Sequence, residues 1–198
     1  MPSGNRGKIG SAGMVHYDHA TTGTSNTTTA LTIELPQTNN SNIWSSEGTY
    51  CVVEYKIGMT SASGYRVRCQ FQDASSTVKT FAASGDSEGN VSLNTFSSTY
   101  VNLTISGLDE ASTAWATGCM HIALWPEGYS TWGATAFSNF HANTHSIKTD
   151  GNYTQSKVGG QFFNYNDNDA VKYIKIYAEA MYFRNYSTIT SYVVGGPT

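Results

Sequence analysis

The sequence predicts an all-β protein: a single antiparallel β-sandwich, jelly-roll-like, with an extended N-terminal arm. Apolar residues alternate with polar ones in at least five runs, which is the period of a strand with one buried face. No stretch of ten residues carries the apolar spacing of an amphipathic helix, which excludes an architecture of alternating strands and helices. The 198 residues fit one such domain.

The clearest alternation lies in two neighbouring runs of the first half of the chain. In residues 51–57 every second side chain is apolar, and the pattern returns in residues 65–71. Because the turn-forming residues 58–64 join them, the two runs predict a hairpin with one solvent-exposed face.

Shorter alternating runs occur throughout the rest of the chain, at residues 31–35, 101–105, 171–177 and 189–194. Together the runs predict about eight to ten strands, the number and spacing typical of sandwiches and barrels.

Three segments depart from this alternation. Residues 119–125 are almost continuously apolar, which is typical of a strand covered on both faces. Residues 84–90 and 127–160 are rich in Gly, Ser and Asn, a composition that predicts irregular loops.

The first 30 residues predict an arm rather than part of the core. They are mostly Gly, Ser and Thr, with four apolar anchors: Ile9, Met14, Val15 and Tyr17. Because so few anchors cannot build a core, the predicted organisation is an arm over residues 1–30 and a sandwich over residues 31–198. The anchors are the predicted contacts with a neighbouring subunit.

The charge pattern argues against nucleic acid and membranes as partners. The net charge is −3 and the 11 basic residues are scattered along the sequence, whereas phosphate binding needs them clustered. No run of about 18 apolar residues exists to span a membrane. Cys51, Cys69 and Cys119 form no close pair, which favours folding in a reducing cytosol.

The side chains that commonly carry chemistry form no convincing constellation. His141 and His145 have the spacing of a metal pair, but the expected four-ligand context of a zinc site is missing and a polar loop is favoured. Residues 164–169 read Asn-Tyr-Asn-Asp-Asn-Asp. Their side-chain oxygens could bind Ca²⁺, but Asn and Asp are also typical of turns, and a turn is favoured. Acidic residues are dispersed and no Gly-x-Ser-x-Gly elbow occurs. The sequence therefore predicts no enzyme, no cofactor and no metal.

Aromatic residues crowd into residues 115–140 among Asn, Ser and Gly. Such rings serve either as core or as platforms for a sugar or a partner protein. Trp125 follows its strand pattern and is predicted in the core. Tyr129, Trp132 and Phe137 are the predicted partner-binding aromatics, with Tyr129 and Trp132 in a Gly-flanked loop.

The closing segment of the chain supports a resemblance. Residues 169–177, a turn, residues 186–194 and a terminal Gly pair resemble the end of small β-sandwich proteins of tailed bacteriophages, such as capsid decoration or cement proteins, head fibres and tail-fibre domains. The runs 50–57 and 65–71 are similar to their core hairpin. The resemblance extends from residue 45 onward, rests on strand rhythm and composition, and implies no catalytic residue.

These observations predict a structural protein of the virion, assembled in the host cytoplasm. The expected role is a capsid-surface decoration or cement subunit, a homotrimer whose arm binds the major capsid protein or other virion subunits. The alternative is a carbohydrate- or receptor-binding module of a phage tail fibre that uses Tyr129 and Trp132. A glycan-cleaving enzyme is the third and least favoured hypothesis.

Overall fold

A computed structural model describes most of the chain: residues 14–25, 27–35, 49–60, 66–78, 81–87, 90–104, 115–124, 136–147, 153–164, 171–178 and 181–194. These residues form twelve β-strands and contain no helix. The strands are β1 (Met14–Thr21), β2 (Ala30–Glu34), β3 (Thr49–Gly58), β4 (Val67–Gln72), β5 (Phe81–Ser87), β6 (Asn90–Ser98), β7 (Val101–Asn102), β8 (Trp115–Leu124), β9 (Ala136–Ile147), β10 (Tyr153–Asn164), β11 (Tyr173–Ala178) and β12 (Thr188–Val194). Within this part of the chain no helix is available that could cross a membrane.

The strand order is that of a jelly roll. Four antiparallel pairs nest inside one another: β1 with β12, β2 with β11, β3 with β8 and β4 with β7. These pairs are divided between an eight-stranded sheet, β1-β12-β3-β8-β9-β10-β5-β6, and a four-stranded sheet, β2-β11-β4-β7. The hairpins β5-β6 and β9-β10 are insertions that extend the larger sheet beyond β8. The predicted all-β sandwich of the jelly-roll type is confirmed.

The hydrophobic core lies between the two sheets. Its side chains come from alternate positions of facing strands, as in β4, where Val67, Cys69 and Phe71 are buried while their neighbours are partly exposed. The rings of Phe71 and Phe140 lie 5.0 Å apart between centroids and join the two sheets near the centre. Each such buried side chain stabilises the fold by about 1.5–3 kcal/mol relative to exposure.

The predicted hairpin of residues 51–57 and 65–71 is wrong. β3 pairs with β12 and β8 in the larger sheet, whereas β4 pairs with β11 and β7 in the smaller one. Each run does bury one face, as predicted. Alternation reveals a buried face but does not distinguish two strands side by side from two strands facing each other across a core.

The prediction of irregular structure over residues 127–160 is wrong for residues 136–147 and 153–160, where β9 and most of β10 lie. Residues 127–135 and 148–152 lie outside the described residues. Four inward positions of these two strands hold small polar side chains, so the hydrophobic alternation is interrupted: Thr144, Ser146, Thr154 and Ser156. Ser146 bonds Thr154 across the two strands, and the Ser156 hydroxyl donates to the Leu103 carbonyl at 2.8 Å. Hydrogen bonds thus satisfy these buried polar groups.

Two further expectations need correction. The predicted loop over residues 84–90 is largely strand, since β5 continues to Ser87 and β6 begins at Asn90. β8 is covered on one face only: Met120 and Ile122 are fully buried, while Cys119 and His121 on the opposite face are half-buried. The twelve strands also exceed the eight to ten expected.

The second half of the predicted arm lies within the sandwich. β1 pairs with β12 of the same chain from Met14 to Thr21, and the turn that follows is held by the Thr22 hydroxyl, which donates to the Arg184 carbonyl at 2.9 Å. Residues 1–13 lie outside the described residues. The jelly roll thus begins seventeen positions before Leu31, because β1 is its first strand.

Candidate functional site

β1 is the edge strand of the larger sheet and exposes apolar side chains. Met14 is 49% exposed, Val15 56% and Tyr17 41%. Among the described strands β1 pairs only with β12, so its other backbone edge lies outside any strand ladder of these residues. An edge strand with apolar side chains is a ready surface for pairing or packing with another chain.

Contacts with β2 hold β1 in place at the margin of the sandwich. The Asp18 carboxylate accepts the backbone N–H of Glu34 and that of His19, both at 2.7 Å. The register of β1 shifts between His16 and Asp18, a bulge that twists the strand at Tyr17. The exposed side chains therefore project from a fixed strand and not from a free arm.

All five histidines of the chain lie on the outer face of the larger sheet. His16 and His19 are on β1, His121 on β8, and His141 and His145 on β9. His121 lies directly opposite His141, and the Tyr50 hydroxyl bonds Nδ1 of His121. The predicted polar loop at His141 and His145 is wrong, since both lie on a strand. Among the described residues no three His, Cys, Asp or Glu side chains come together as metal ligands.

The same face contains a shallow depression of about 450 Å³ across four adjacent strands. It is lined by Glu54, Tyr55, Lys56, Thr117, Gly118, Cys119, Asn143, His145, Thr188 and Thr190. Strand register arranges the outward side chains in two rows, with Thr190 beside Glu54 in one and Thr188 beside Lys56 in the other. Small hydroxyl side chains form the floor, and one carboxylate and one ammonium group rise from β3.

Charged groups at this depression have defined neighbours. Burial and the adjacent Glu54 raise the pKa of Tyr192, whose protonated phenol hydrogen bonds the Glu54 carboxylate. The Lys56 ammonium lies 4.8 Å from the centre of the Trp115 ring, a favourable cation–π distance. Hydroxyl, amide, carboxylate and ammonium groups side by side can bind a hydroxyl-rich ligand through several hydrogen bonds.

The structure separates the residues predicted to bind a partner. Met14, Val15 and Tyr17 come together on β1, and Phe137 lies on β9, though its side chain is not among those described. Ile9, Tyr129 and Trp132 lie outside the described residues. In the segment 164–169, Asn164 ends β10 and the others lie outside the described residues.

Sequence reasoning did not find the depression. Its lining residues are ordinary outward positions of β3, β8, β9 and β12, separated by up to 136 positions between Glu54 and Thr190. Only the pairing of these four strands brings them together, and no local motif signals that pairing.

Comparison of the chain with protein-family models, with curated proteins and with solved structures finds no match.

Proposed function

We propose that the protein is a structural subunit of a virus particle, a decoration or cement subunit that binds neighbouring coat subunits as a homotrimer. The observation that carries the proposal is the apolar edge strand β1 on a jelly-roll sandwich. Jelly rolls recur in viral capsid domains. The proposal assigns no catalytic step to any residue.

The position of β1 suits a contact between subunits. Val15 pairs with Val193 and Met14 with Val194, and the two valines of β12 are only partly buried. Since successive residues of a strand point to opposite faces of the sheet, one apolar pair spans the two strands on each face. Residues 1–13, with Ile9, directly precede this patch. A contact between β1 of one copy and a different surface of the next is head-to-tail, and such contacts close into rings such as a trimer.

A surface of neutral polar residues also suits a particle component. Charged residues make up 13% of the chain, about half the share typical of soluble proteins. Hydroxyl and amide groups keep the surface hydrated without ion pairs, whose strength salt would screen. The particle would then tolerate changes in ionic strength outside the host.

The double substitution Val15→Lys/Tyr17→Lys tests the proposed contact. Charges on an edge strand oppose pairing with another chain, so we expect a trimer for the unmodified protein and a monomer for the variant in sedimentation velocity. Circular dichroism should show the same strand content in both. The same variant should fail to join particles produced in infected host cells, as read from the protein content of purified virions.

Tyr182→Lys is the matched control, since Tyr182 is an exposed tyrosine, 50% accessible, outside β1. It should leave both trimer and particle attachment intact. A protein that stays trimeric and virion-bound with lysines at positions 15 and 17 would contradict the proposal. Truncation should stop at residue 13, because deletion to residue 30 removes β1 and exposes β12.

A second candidate function, a carbohydrate- or receptor-binding module of a tail fibre, is favoured by the depression between β12 and β9. Its width and hydroxyl-rich lining suit one or two sugar rings, and jelly rolls also serve as lectin domains. The predicted stacking residues Tyr129 and Trp132 stay a prediction in this second proposal.

Glu54→Gln/Asn143→Leu tests the second candidate on an array of neutral glycans. Glu54→Gln removes a carboxylate that would accept hydrogen bonds from sugar hydroxyl groups, and Asn143→Leu removes an amide. Glycan affinity is expected to fall at least about tenfold, since hydrogen bonds to charged groups are worth about 1.5–3 kcal/mol. Asn139→Leu, an exposed position of β9 outside the depression, is the control and should bind normally. Equal binding by all three proteins would exclude the depression as the glycan site.

A further inference from the structure

The smaller sheet gathers basic residues that are far apart in the sequence. Four of the 11 basic residues lie on or beside its outer face, on the opposite side of the sandwich from the depression. Three tyrosines accompany them, and we name this set the cationic–tyrosine face: Arg66, Arg68, Lys172, Lys175, Tyr100, Tyr173 and Tyr177.

Strand pairing creates the face. Tyr177 on β11 lies opposite Arg68 on β4, and Arg68 in turn lies opposite Asn102 on β7. The Arg68 guanidinium lies 4.3 Å from the centre of the Tyr100 ring, hydrogen bonds Tyr177 and donates to Asn102 Oδ1 at 3.2 Å. Several partners thus hold this arginine in one orientation.

The lysines continue the positive charge along β11. Lys175 lies 5.6 Å from the Tyr177 ring centre and Lys172 5.5 Å from that of Tyr173. Glu34, 3.7 Å from Lys172, is the one acidic side chain among the described residues of the face. Within the described part of the chain, four cations against one carboxylate give this face a local excess of positive charge, although the net charge of the whole chain is −3.

We propose that the cationic–tyrosine face binds an acidic polysaccharide, a sugar chain that carries carboxylate or sulfate groups. Arg66 and Lys175 bind its anionic groups, and the neutral side chains between them, among them Gln70 and Thr32, bind its hydroxyl groups. Lys172 and Lys175 are three residues apart on an extended segment, which places their Cα atoms about 10 Å apart. The two anionic groups that they contact therefore need not belong to adjacent sugars of the polymer.

The chemistry of the face favours this ligand over two others. The buried centre of a protein interface is depleted in charged residues, lysine among them, whereas four cations lie on or beside this face. Single-stranded nucleic acid stacks its bases on open aromatic rings, but Arg68, Lys172 and Lys175 already lie near the tyrosine rings. Sugars combine contact with ring edges and hydrogen bonds to amides, which this arrangement supplies.

The inference does not depend on the contact proposed for β1, and its test uses other residues. Binding of the full chain to heparin and to polygalacturonate is measured by isothermal titration, with neutral dextran, polyglutamate and oligo(dT) as comparison polymers. We expect binding to one or both acidic polysaccharides, none to dextran, and a loss of affinity of at least tenfold for Arg66→Gln/Lys175→Gln.

The matched control is Lys8→Gln/Lys157→Gln, which leaves both the cationic–tyrosine face and the depression unchanged. Lys157 is exposed on β10, and the control likewise removes two positive charges from the chain, so it should keep the affinity of the unmodified protein. Equal weakening by the control would mean that net charge alone attracts the polymer and would overturn the proposal. So would a preference for polyglutamate or oligo(dT), or the absence of binding to both polysaccharides.

Discussion

Replacement of Gly118 by alanine is expected to lower the free energy of unfolding by about 3 kcal/mol, the upper part of the usual range for an overpacked core. A Cβ at this position would lie 2.5 Å from the backbone oxygen of Asn143 and 2.6 Å from the Tyr55 hydroxyl oxygen. Neither atom can retreat, because Asn143 lies in the β8-β9 ladder and Tyr55 is buried with its hydroxyl bonded to Thr144. The strain would spread into the centre of the larger sheet.

Urea unfolding followed by circular dichroism measures this effect. Gly159→Ala is the matched control: its nearest atom is the Phe140 oxygen at 3.2 Å, so a shift of a few tenths of an ångström accommodates the methyl group. We expect the control to change stability by about 1 kcal/mol or less, in part because alanine is less costly than glycine in a strand. Equal stability of the Gly118→Ala variant and the unmodified protein would contradict this prediction, because it would mean that Tyr55 and the Asn143 backbone can move away without cost.

Alkaline pH is expected to unfold the protein. Burial raises the pKa of the Cys51 thiol from 9.0 to about 12, and it raises the pKa of Cys69 and Tyr55 as well. The folded state thus keeps protons that the unfolded state releases, so stability is complete below pH 9 and falls as pH rises. Each group lowers the free energy of unfolding by about 1.4 kcal/mol per pH unit within its window.

The two thiols begin to contribute at about pH 9 and Tyr55 at about pH 10, the ordinary values of these groups. Together the three groups remove about 3 kcal/mol by pH 10 and about 7 kcal/mol by pH 11, so a domain in the lower part of the typical range, about 5–9 kcal/mol, is expected to unfold between about pH 10.5 and 11.5. Urea midpoints at pH 8, 9, 10 and 10.5 in a reducing buffer measure the slope. Cys51→Ala/Cys69→Ala should remove the decline between pH 9 and 10; an unchanged midpoint of the unmodified protein up to pH 10.5 would contradict the prediction.

The sequence predicted correctly wherever inward side chains are large and apolar. In β2, for example, Leu31 and Ile33 are buried and Thr32 is exposed, and burial of apolar area alone fixes which face turns inward. The same reasoning failed in β9 and β10, where Thr144 and Ser156 occupy buried positions. Their burial is stabilised by hydrogen bonds to partners that lie far away in sequence, so composition gave no sign of a strand.

The candidate sites divide in the same way. Met14, Val15 and Tyr17 could be singled out because apolar residues are rare in the first 30 positions. Neither the depression around Glu54 nor the cationic–tyrosine face around Arg68 could be predicted, because each is assembled from strands that are distant along the chain. Scattered charges in a sequence are thus no guide to their distribution on a sheet.

The sequence by itself determined the fold class and the inward faces of strands with large apolar side chains, such as β2 and β4, because strand period and side-chain hydrophobicity are local properties. The tertiary structure alone decided which strands are neighbours. It moved residues 51–57 and 67–72 into opposite sheets, made residues 14–21 an edge strand, and collected Arg66, Arg68, Lys172 and Lys175 on one face. Pairing depends on the simultaneous fit of many distant side chains and backbone hydrogen bonds, and no single segment contains that information.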